Sequence, residues 1–183
     1  MNMENSQFRL EKPDFMYAQA LLDYQKRNID FLTPFVPKRE LSFFTLEYQK
    51  KVLDQKILFL SEQKEYCFYI FDNINNNLIG SLSLSNIIRG AFQSCFLGYS
   101  LDKDYLNRGI MSKSICFIVK FAFNELKLHR IEANVMPRNI PSRKVLEKNN
   151  FIEEGFSKQY MLINNKWEDH IHYVLINQEY LID

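Results

Sequence analysis

Tyr99-Ser100-Leu101-Asp102-Lys103-Asp104-Tyr105-Leu106-Asn107-Arg108-Gly109-Ile110-Met111-Ser112 is the stretch on which the fold turns. Its first three residues end a run, Phe92 to Leu101, in which Cys95, Leu97, Tyr99 and Leu101 alternate on one face, the period of a strand. Beyond it Met111, Ile115, Ile118, Val119, Ala122 and Leu126 fall on one helical stripe. A strand thus gives way, through a short loop carrying Arg108 beside Gly109, to a helix whose first N–H groups and positive dipole end face that loop. Such a turn can hold an anion: Gly109 admits a close backbone approach, and Arg108 and Ser112 add charge and a hydroxyl donor. Taken alone, a glycine in a strand-to-helix turn is more often only a turn.

Outward from this stretch the periods alternate. Arg130 to Val135 returns to period two through Ile131, Ala133 and Val135, so the helix joins two strands that can pair in parallel. On the N-terminal side, Glu65 to Asp72 is apolar on both faces, Asp72 to Asn77 is a turn cluster, and Leu78 to Ser85 alternates. A turn near Arg89-Gly90 then makes Phe92 to Leu101 a third antiparallel strand. Earlier still, Phe8 to Lys12 reads as a short strand, Phe15 to Phe31 as a helix broken near Asn28, and Ser42 to Lys64 as a second helical region. Thr33 to Pro37 between them is an extended or turned loop with exposed aromatics, because each proline restricts its own φ and the residue before it. Past Val135, Asn139 to Asn150 is a short helix with a cap-then-proline start. Phe151 to Ile163 and Asp169 to Asn177 are the last two strands, parted by the polar Asn164-Asn165-Lys166 turn. The order β-α-α-β-β-β-α-β-α-β-β argues one α+β (α/β/α layered) domain over residues 1–183, a mixed, mostly antiparallel twisted sheet with helices on both faces.

Composition narrows the function. The 183 residues suit a single core. With 46% hydrophobic and 25% charged residues, disorder and fibrous repeats are excluded. Lys+Arg 23 against Asp+Glu 22 leaves net +1, no surplus with which to hold nucleic acid. No run approaches roughly 18 consecutive apolar residues, so no membrane helix is expected, and Met1 to Ser6 lacks the charged and apolar regions of a signal peptide. Cys67, Cys95 and Cys116 are odd in number and flanked by apolar residues, as reduced core thiols are. His129, His170 and His172 lack metal-ligand spacing, so no metal is expected. The expectation is a cytoplasmic protein, monomer or homodimer.

Several ordered motifs give the loop its meaning: Leu97-Gly98-Tyr99-Ser100-Leu101, Asn107-Arg108-Gly109-Ile110-Met111, His129-Arg130-Ile131-Glu132-Ala133-Asn134-Val135 with Asn139-Ile140-Pro141-Ser142, and Asn150-Phe151-Ile152-Glu153-Glu154-Gly155-Phe156. With Ile79-Gly80, Ile88-Arg89-Gly90-Ala91-Phe92 and Trp167-Glu168-Asp169-His170, the chain from about Leu78 onward resembles the GNAT superfamily of N-acetyltransferases. It is most similar to the ribosomal-protein alanine N-acetyltransferases of the RimJ/RimL type. The resemblance implies the GNAT fold and acetyl-CoA as co-substrate, lying where two neighbouring parallel strands splay apart. Its pyrophosphate would rest on the loop and helix start, and its pantetheine arm on the backbone of the preceding strand. On that basis the cofactor-binding residues are Tyr99, Ser100, Leu101, Asn107, Arg108, Gly109, Met111 and Ser112, with Asn134 and Asn139. The chain departs from the family's Gln/Arg-x-x-Gly-x-Gly/Ala pattern at Leu106 and Met111, neither of which removes a backbone N–H.

The reaction so implied is direct attack of a neutral amine on the thioester, which needs both substrates held in line, a proton taken from the amine, and the departing thiolate stabilised. Ser142 matches the family's helix serine proposed to meet the CoA sulfur; packing or a helix-start donor is its other reading. Asn139 is either a cofactor contact or the cap of that helix. Some relatives place a glutamate where this chain has Met161, so that base does not carry over. Glu132 and His170 are left as proton relays through water, each with an ordinary structural alternative. A free α-amine, with pKa about 8, is roughly a tenth to a quarter neutral near pH 7, whereas lysine is below about 0.1%, so an α-amino acceptor needs less help. Asp169, just before the last strand with Trp167, either positions the incoming amine or closes a hairpin. Phe35, exposed between prolines, walls the acceptor groove or is a packed connector. The expected activity is acetyl transfer to a primary amine, foremost the N-terminal α-amine of a protein such as a ribosomal protein. The alternatives are a small amine (aminoglycoside or polyamine) as acceptor, and a CoA-binding module without turnover.

Overall fold

The computed structural model describes residues 7–180; Met1 to Ser6, read above for a leader, lie outside the described residues. The elements are β1 (Phe8–Glu11), α1 (Ala18–Arg27), α2 (Ile29–Leu32), α3 (Leu46–Ser61), β2 (Tyr66–Asp72), β3 (Leu78–Ile88), β4 (Ser94–Leu101), α4 (Ile110–Lys120), β5 (Arg130–Val135), α5 (Ile140–Lys148), β6 (Ile152–Ile163) and β7 (Lys166–Ile176). Among the described residues they form a seven-stranded sheet in the order β1-β2-β3-β4-β5-β7-β6. The β4–β5 pair is parallel and the others are antiparallel. No helix of the described residues is long and apolar enough to cross a membrane.

Alternation on β2 builds both layers at once. Phe68 and Ile70 point to the core shared with α4, where Ile115, Ile118 and Ala122 are fully buried. Cys67, Tyr69 and Phe71 point the other way, onto Leu21 and Tyr24 of α1 and Leu53 of α3. A two-sided apolar strand is what a sheet covered on both faces demands, and each fully buried isoleucine of α4 contributes about 1.5–3 kcal/mol. Helices α3 and α5 begin where a side chain satisfies a free N–H group: Thr45 Oγ1 accepts from Tyr48 N at the start of α3, and Asn139 Oδ1 accepts from Ser142 N at the start of α5.

Four sequence expectations shift at their edges. The helix read through Leu126 leaves α-helical bonding after Lys120, and Phe121–Glu125 is a π turn in which Leu126 N bonds to Phe121 O; the wider turn buries Ala122, Leu126 and Leu128 together. The last strand begins at Lys166, because Asn164 and Asn165 both take positive φ (48° and 64°) and close a two-residue hairpin; Trp167 and Asp169 therefore lie within β7, not before it. Thr33–Phe35 is a short 3-10 turn, and Phe35 is half-buried instead of exposed, since Asn164 Nδ2 and Arg138 Nη2 donate to the Thr33 and Pro34 carbonyls and draw the turn onto the sheet. Cys67 and Cys95 are buried as expected, whereas Cys116 on the outer face of α4 is exposed.

Gly80 sits where β3 and β4 leave no room for a side chain. A Cβ there would lie 2.6 Å from the Ser100 carbonyl oxygen and 3.2 Å from both Ile70 Cδ1 and Leu101 Cδ1. Gly80→Ala is expected to lower stability by about 2–3 kcal/mol, a Tm loss of about 5–10 °C by thermal unfolding. Gly98→Ala, whose Cβ would meet only Ser83 Oγ at 3.8 Å, should change stability by less than about 0.5 kcal/mol. Equal losses in the two variants would show that the close approach at Gly80 carries no strain.

Candidate active site

The parallel ladder between β4 and β5 is short. It pairs Ser94 with Arg130, Cys95 with Ile131 and Phe96 with Glu132, and then stops. Past that point β4 stays on β3 as far as Leu101, and β5 stays on β7 as far as Val135, so the facing edges diverge with backbone groups unpaired. A cavity of about 170 Å³ opens in the split, walled by residues 97–99 on one side and 133–136 on the other. Asn139 and Ser142 at the start of α5, Phe35 and His170 complete its lining.

The split leads to the start of α4. Unlike α3 and α5, α4 has no side-chain cap: its N-cap is Gly109, at φ 74°. Asn107 two residues earlier also has positive φ (59°), and an alternation of this kind is the backbone form that in general makes a concave turn suited to an anion. A Cβ on Gly109 would meet nothing within 4 Å, so the space over the helix end is open. Met111 turns its side chain into the core and offers only its N–H to the loop. Ser112 Oγ accepts from Asn149 Nδ2, tying α4 to α5. Arg108 donates to the Asp104 carbonyl at 2.6 Å and lies 4.8 Å from the centroid of the Tyr105 ring, at the loop's outer rim. Uncapped amides, a concave loop and an adjacent cation fit the diphosphate of a nucleotide-bearing group, and the unpaired edge of β4 fits an amide-bearing arm running beside it.

This loop is fastened from beneath. Asp102, fully buried, accepts from Arg27 Nε at 2.7 Å, Asn28 Nδ2 at 3.1 Å and Asp104 N at 3.0 Å. Asn28, fully buried at the break between α1 and α2, also takes the Lys103 N–H on its Oδ1. Burial pushes the Asp102 carboxyl up, but these hydrogen bonds and the Arg27 charge outweigh it and hold the group below its usual value.

Two groups in the cavity can move protons. Tyr99 Oη lies 2.7 Å from Ser142 Oγ and donates to the Ser142 carbonyl at 3.2 Å, and burial pushes the Tyr99 phenol up, keeping it protonated. His170 is 4% exposed. Its Nδ1 lies 3.1 Å from the Glu168 carbonyl oxygen, which can only accept, so Nδ1 carries the hydrogen and Nε2 carries the lone pair. No described residue bonds Nε2. Burial lowers the His170 pKa, so the ring is neutral at pH 7.

The remaining sequence candidates divide. Asn139 caps α5 and lines the cavity at the same time. Asn134 lines the cavity and is held by His172 Nδ1 at 2.7 Å, with Ser157 Oγ 2.8 Å from His172 Nε2. Ser100 turns its hydroxyl to Tyr24 on the α1 side, and Leu101 packs on the core. Glu132 is outside the cavity, ion-paired to Arg130 at 2.9 Å. Asp169 Oδ1 accepts from Gln159 N at 2.8 Å, closing the bulge of β6, and Trp167 stands 56% exposed near the β6–β7 turn. Sequence reading passed over Arg138 and Glu168. Arg138 bridges the buried Glu168 and the Pro34 carbonyl, and its guanidinium holds the Glu168 carboxyl below the usual range. Arg138 directly precedes the Asn139-Ile140-Pro141-Ser142 motif and Glu168 lies within Trp167-Glu168-Asp169-His170, but nothing in their spacing links residues 30 apart.

Comparison with known proteins agrees with this geometry. Residues 18–152 match the model of the acetyltransferase (GNAT) domain. A probable N-acetyltransferase, YjcK of Bacillus subtilis, is 43% identical over 88% of this chain and 90% of its own. The [ribosomal protein uS5]-alanine N-acetyltransferase of Escherichia coli is 32% identical over 84% of this chain and 79% of its own. The crystal structure of a ribosomal-protein-S5-alanine acetyltransferase from Vibrio fischeri superposes with TM-score 0.95 at 35% identity, covering all of both chains. The seven-stranded sheet with its split is thus the GNAT fold, whose enzymes use acetyl-CoA. The chain belongs to the GNAT acetyltransferase family and is an N-acetyltransferase.

Proposed function

We propose that the chain transfers the acetyl group of acetyl-CoA to the N-terminal α-amine of a polypeptide, with a ribosomal protein in the cytoplasm as the acceptor. The observation that carries the reading is the chemistry of the cavity lining: a hydroxyl pair and an unpartnered imidazole nitrogen face one space, and among the described residues no carboxylate lines it. A polyamine or aminoglycoside carries several positive charges and calls for several carboxylates. Glu168, two residues before His170, is already bound to Arg138 and Lys166. An α-amine carries a single charge and sheds its proton near neutral pH, so one neutral histidine suffices. His170 Nε2 takes the amine proton, directly or through one water, and the amine attacks the thioester carbonyl. Ser142 Oγ donates to the departing thiolate, backed by the Tyr99 hydroxyl. The similarity to the uS5-alanine enzymes supports a polypeptide beginning with alanine.

The test supplies an alanine-starting peptide with acetyl-CoA, follows thiol release and maps the acetyl group by mass spectrometry. Thiol release matched by acetylation at the α-nitrogen is expected. An inert peptide beside an active spermidine or aminoglycoside would transfer the reading to small amines, and acetyl-CoA binding without release for any amine would end it. Two variants separate binding from turnover. Gly109→Val is expected to raise the Kd for acetyl-CoA about tenfold by crowding the amides, and to cost about 1–2 kcal/mol of stability through its left-handed φ. Ser142→Ala should lower kcat at least tenfold while changing that Kd less than about twofold.

A further inference from the structure

We infer that a second pocket, beside the catalytic cavity and built around Arg39, binds an acidic side chain of the acceptor polypeptide a few residues after its N-terminus. The inference rests on the polypeptide-acceptor reading. The pocket is a cavity of about 110 Å³ between the α1–α2 arm, residues 36–39 and the β6–β7 turn, with Ile29, Leu32 and Phe44 as apolar walls and Lys38 and Arg39 as its charged lining. Among the described residues no acidic one lines it. The Arg39 guanidinium donates to Gln25 Oε1 at 2.5 Å and stands 4.0 Å from the centroid of the Phe43 ring, both neutral partners. Among the described residues neither Arg39 nor Lys38 has an ion pair, although most of the ion pairs found engage cations with a carboxylate two to nine residues away. Burial of the guanidinium removes water without supplying an anion, a cost that a bound carboxylate would offset with charge-assisted and bidentate hydrogen bonds.

Position ties this pocket to the reaction. The Thr33–Phe35 turn is the wall between the two cavities: Thr33 and Val36 face the Arg39 side, and Phe35 faces the catalytic side. Asn164 and Arg138 clamp its carbonyls, so the wall is fixed. A helical turn with its side chains is about 10–12 Å across, which three or four extended residues span. A chain whose α-amine lies by His170 and which crosses over Phe35 would bring its fourth or fifth residue to Arg39. Aspartate or glutamate there matches the charge and the size of the space.

The experiment uses C-terminally amidated peptides that begin with alanine and carry Asp, phosphoserine, Gln or Lys at position 4 or 5, and measures both acetylation and peptide binding by fluorescence anisotropy. The wild-type protein should show a KM about tenfold lower for the acidic peptide than for the Gln peptide, at equal kcat. Arg39→Gln should erase that ratio and Arg39→Lys should keep part of it. Lys38→Glu, at an exposed position, should reduce it and improve the Lys peptide, which keeps the question answerable if Arg39→Gln does not fold. Equal KM values in the wild type, or a preference that survives both Arg39→Gln and Lys38→Glu, would overturn the pocket; tighter binding of a phosphoserine peptide than of the Asp peptide would overturn its assignment to a carboxylate. Arg39-dependent binding without acetylation of any peptide would leave the pocket standing and remove the α-amine reading. Acetylation of every peptide without preference would do the reverse.

Discussion

His170→Gln is expected to lower kcat about 100-fold at pH 7 while leaving the affinity for acetyl-CoA within about twofold, the size of effect lost with a general base. The pH profile is the sharper reading. An α-amine must be neutral to attack, so log(kcat/KM) should rise with unit slope below about pH 8. In the wild type a second proton matters: below the lowered pKa of His170 the imidazole is charged, Nε2 has no lone pair, and the slope should steepen to two. The variant has no such group and should keep unit slope throughout. The sign of the shift matters, because burial has moved the His170 pKa down, away from neutrality, and the base is therefore fully available at pH 7. An unchanged kcat in the variant, or a variant whose pH profile is the same as that of the wild type throughout, would remove His170 from the proton path and leave its ring as packing against Tyr160.

The parts of this site that were legible in the sequence are those whose signal is local. A glycine between an alternating strand and an apolar helical stripe locates the loop at 107–112 without any knowledge of distant residues, and the cap-then-proline start of α5 does the same for Asn139. Strands β2 to β5 were legible for the same reason: burial on one or both faces imprints a period on strands of six to eleven residues. What was not legible is set by contacts across the chain. Tyr99 meets Ser142 over 43 residues, Asn28 meets Asp102 over 74, and Arg138 meets Pro34 over 104. Asp169 illustrates the limit. Its carboxylate looks free for an incoming amine until the β6 bulge brings the Gln159 N–H onto it, and that bulge is a matter of register between two strands. Glu132 is the opposite case: Arg130, two residues away on the same strand face, was already a readable partner.

Asp102→Ala should be the most destabilising of these substitutions, by about 3–5 kcal/mol, because it strands the buried Asn28 amide, the Arg27 guanidinium and the Asp104 N–H at once. At roughly 2–4 °C per kcal/mol for a chain of this size, the Tm falls by about 6–20 °C. That is a large part of the 5–15 kcal/mol that domains ordinarily hold. Asp102→Asn, which keeps the shape and loses the charge, should cost about 1–3 kcal/mol. Acid should abolish the difference. The folded carboxyl titrates below its unfolded value of about 3.9, so its contribution is present above that pH and disappears as the pH drops through the folded pKa. Wild-type stability should therefore fall toward that of the variant below about pH 4. The same anchor sets the path of the loop into α4, so Asp102→Ala should also weaken acetyl-CoA binding at temperatures where the variant is still folded. Asp104→Ala, an exposed side chain on the same loop, should change stability by less than about 0.5 kcal/mol. If Asp102→Ala and Asp104→Ala unfold at the same temperature and bind acetyl-CoA equally, the loop is held by its own backbone and not by the Arg27–Asn28–Asp102 anchor.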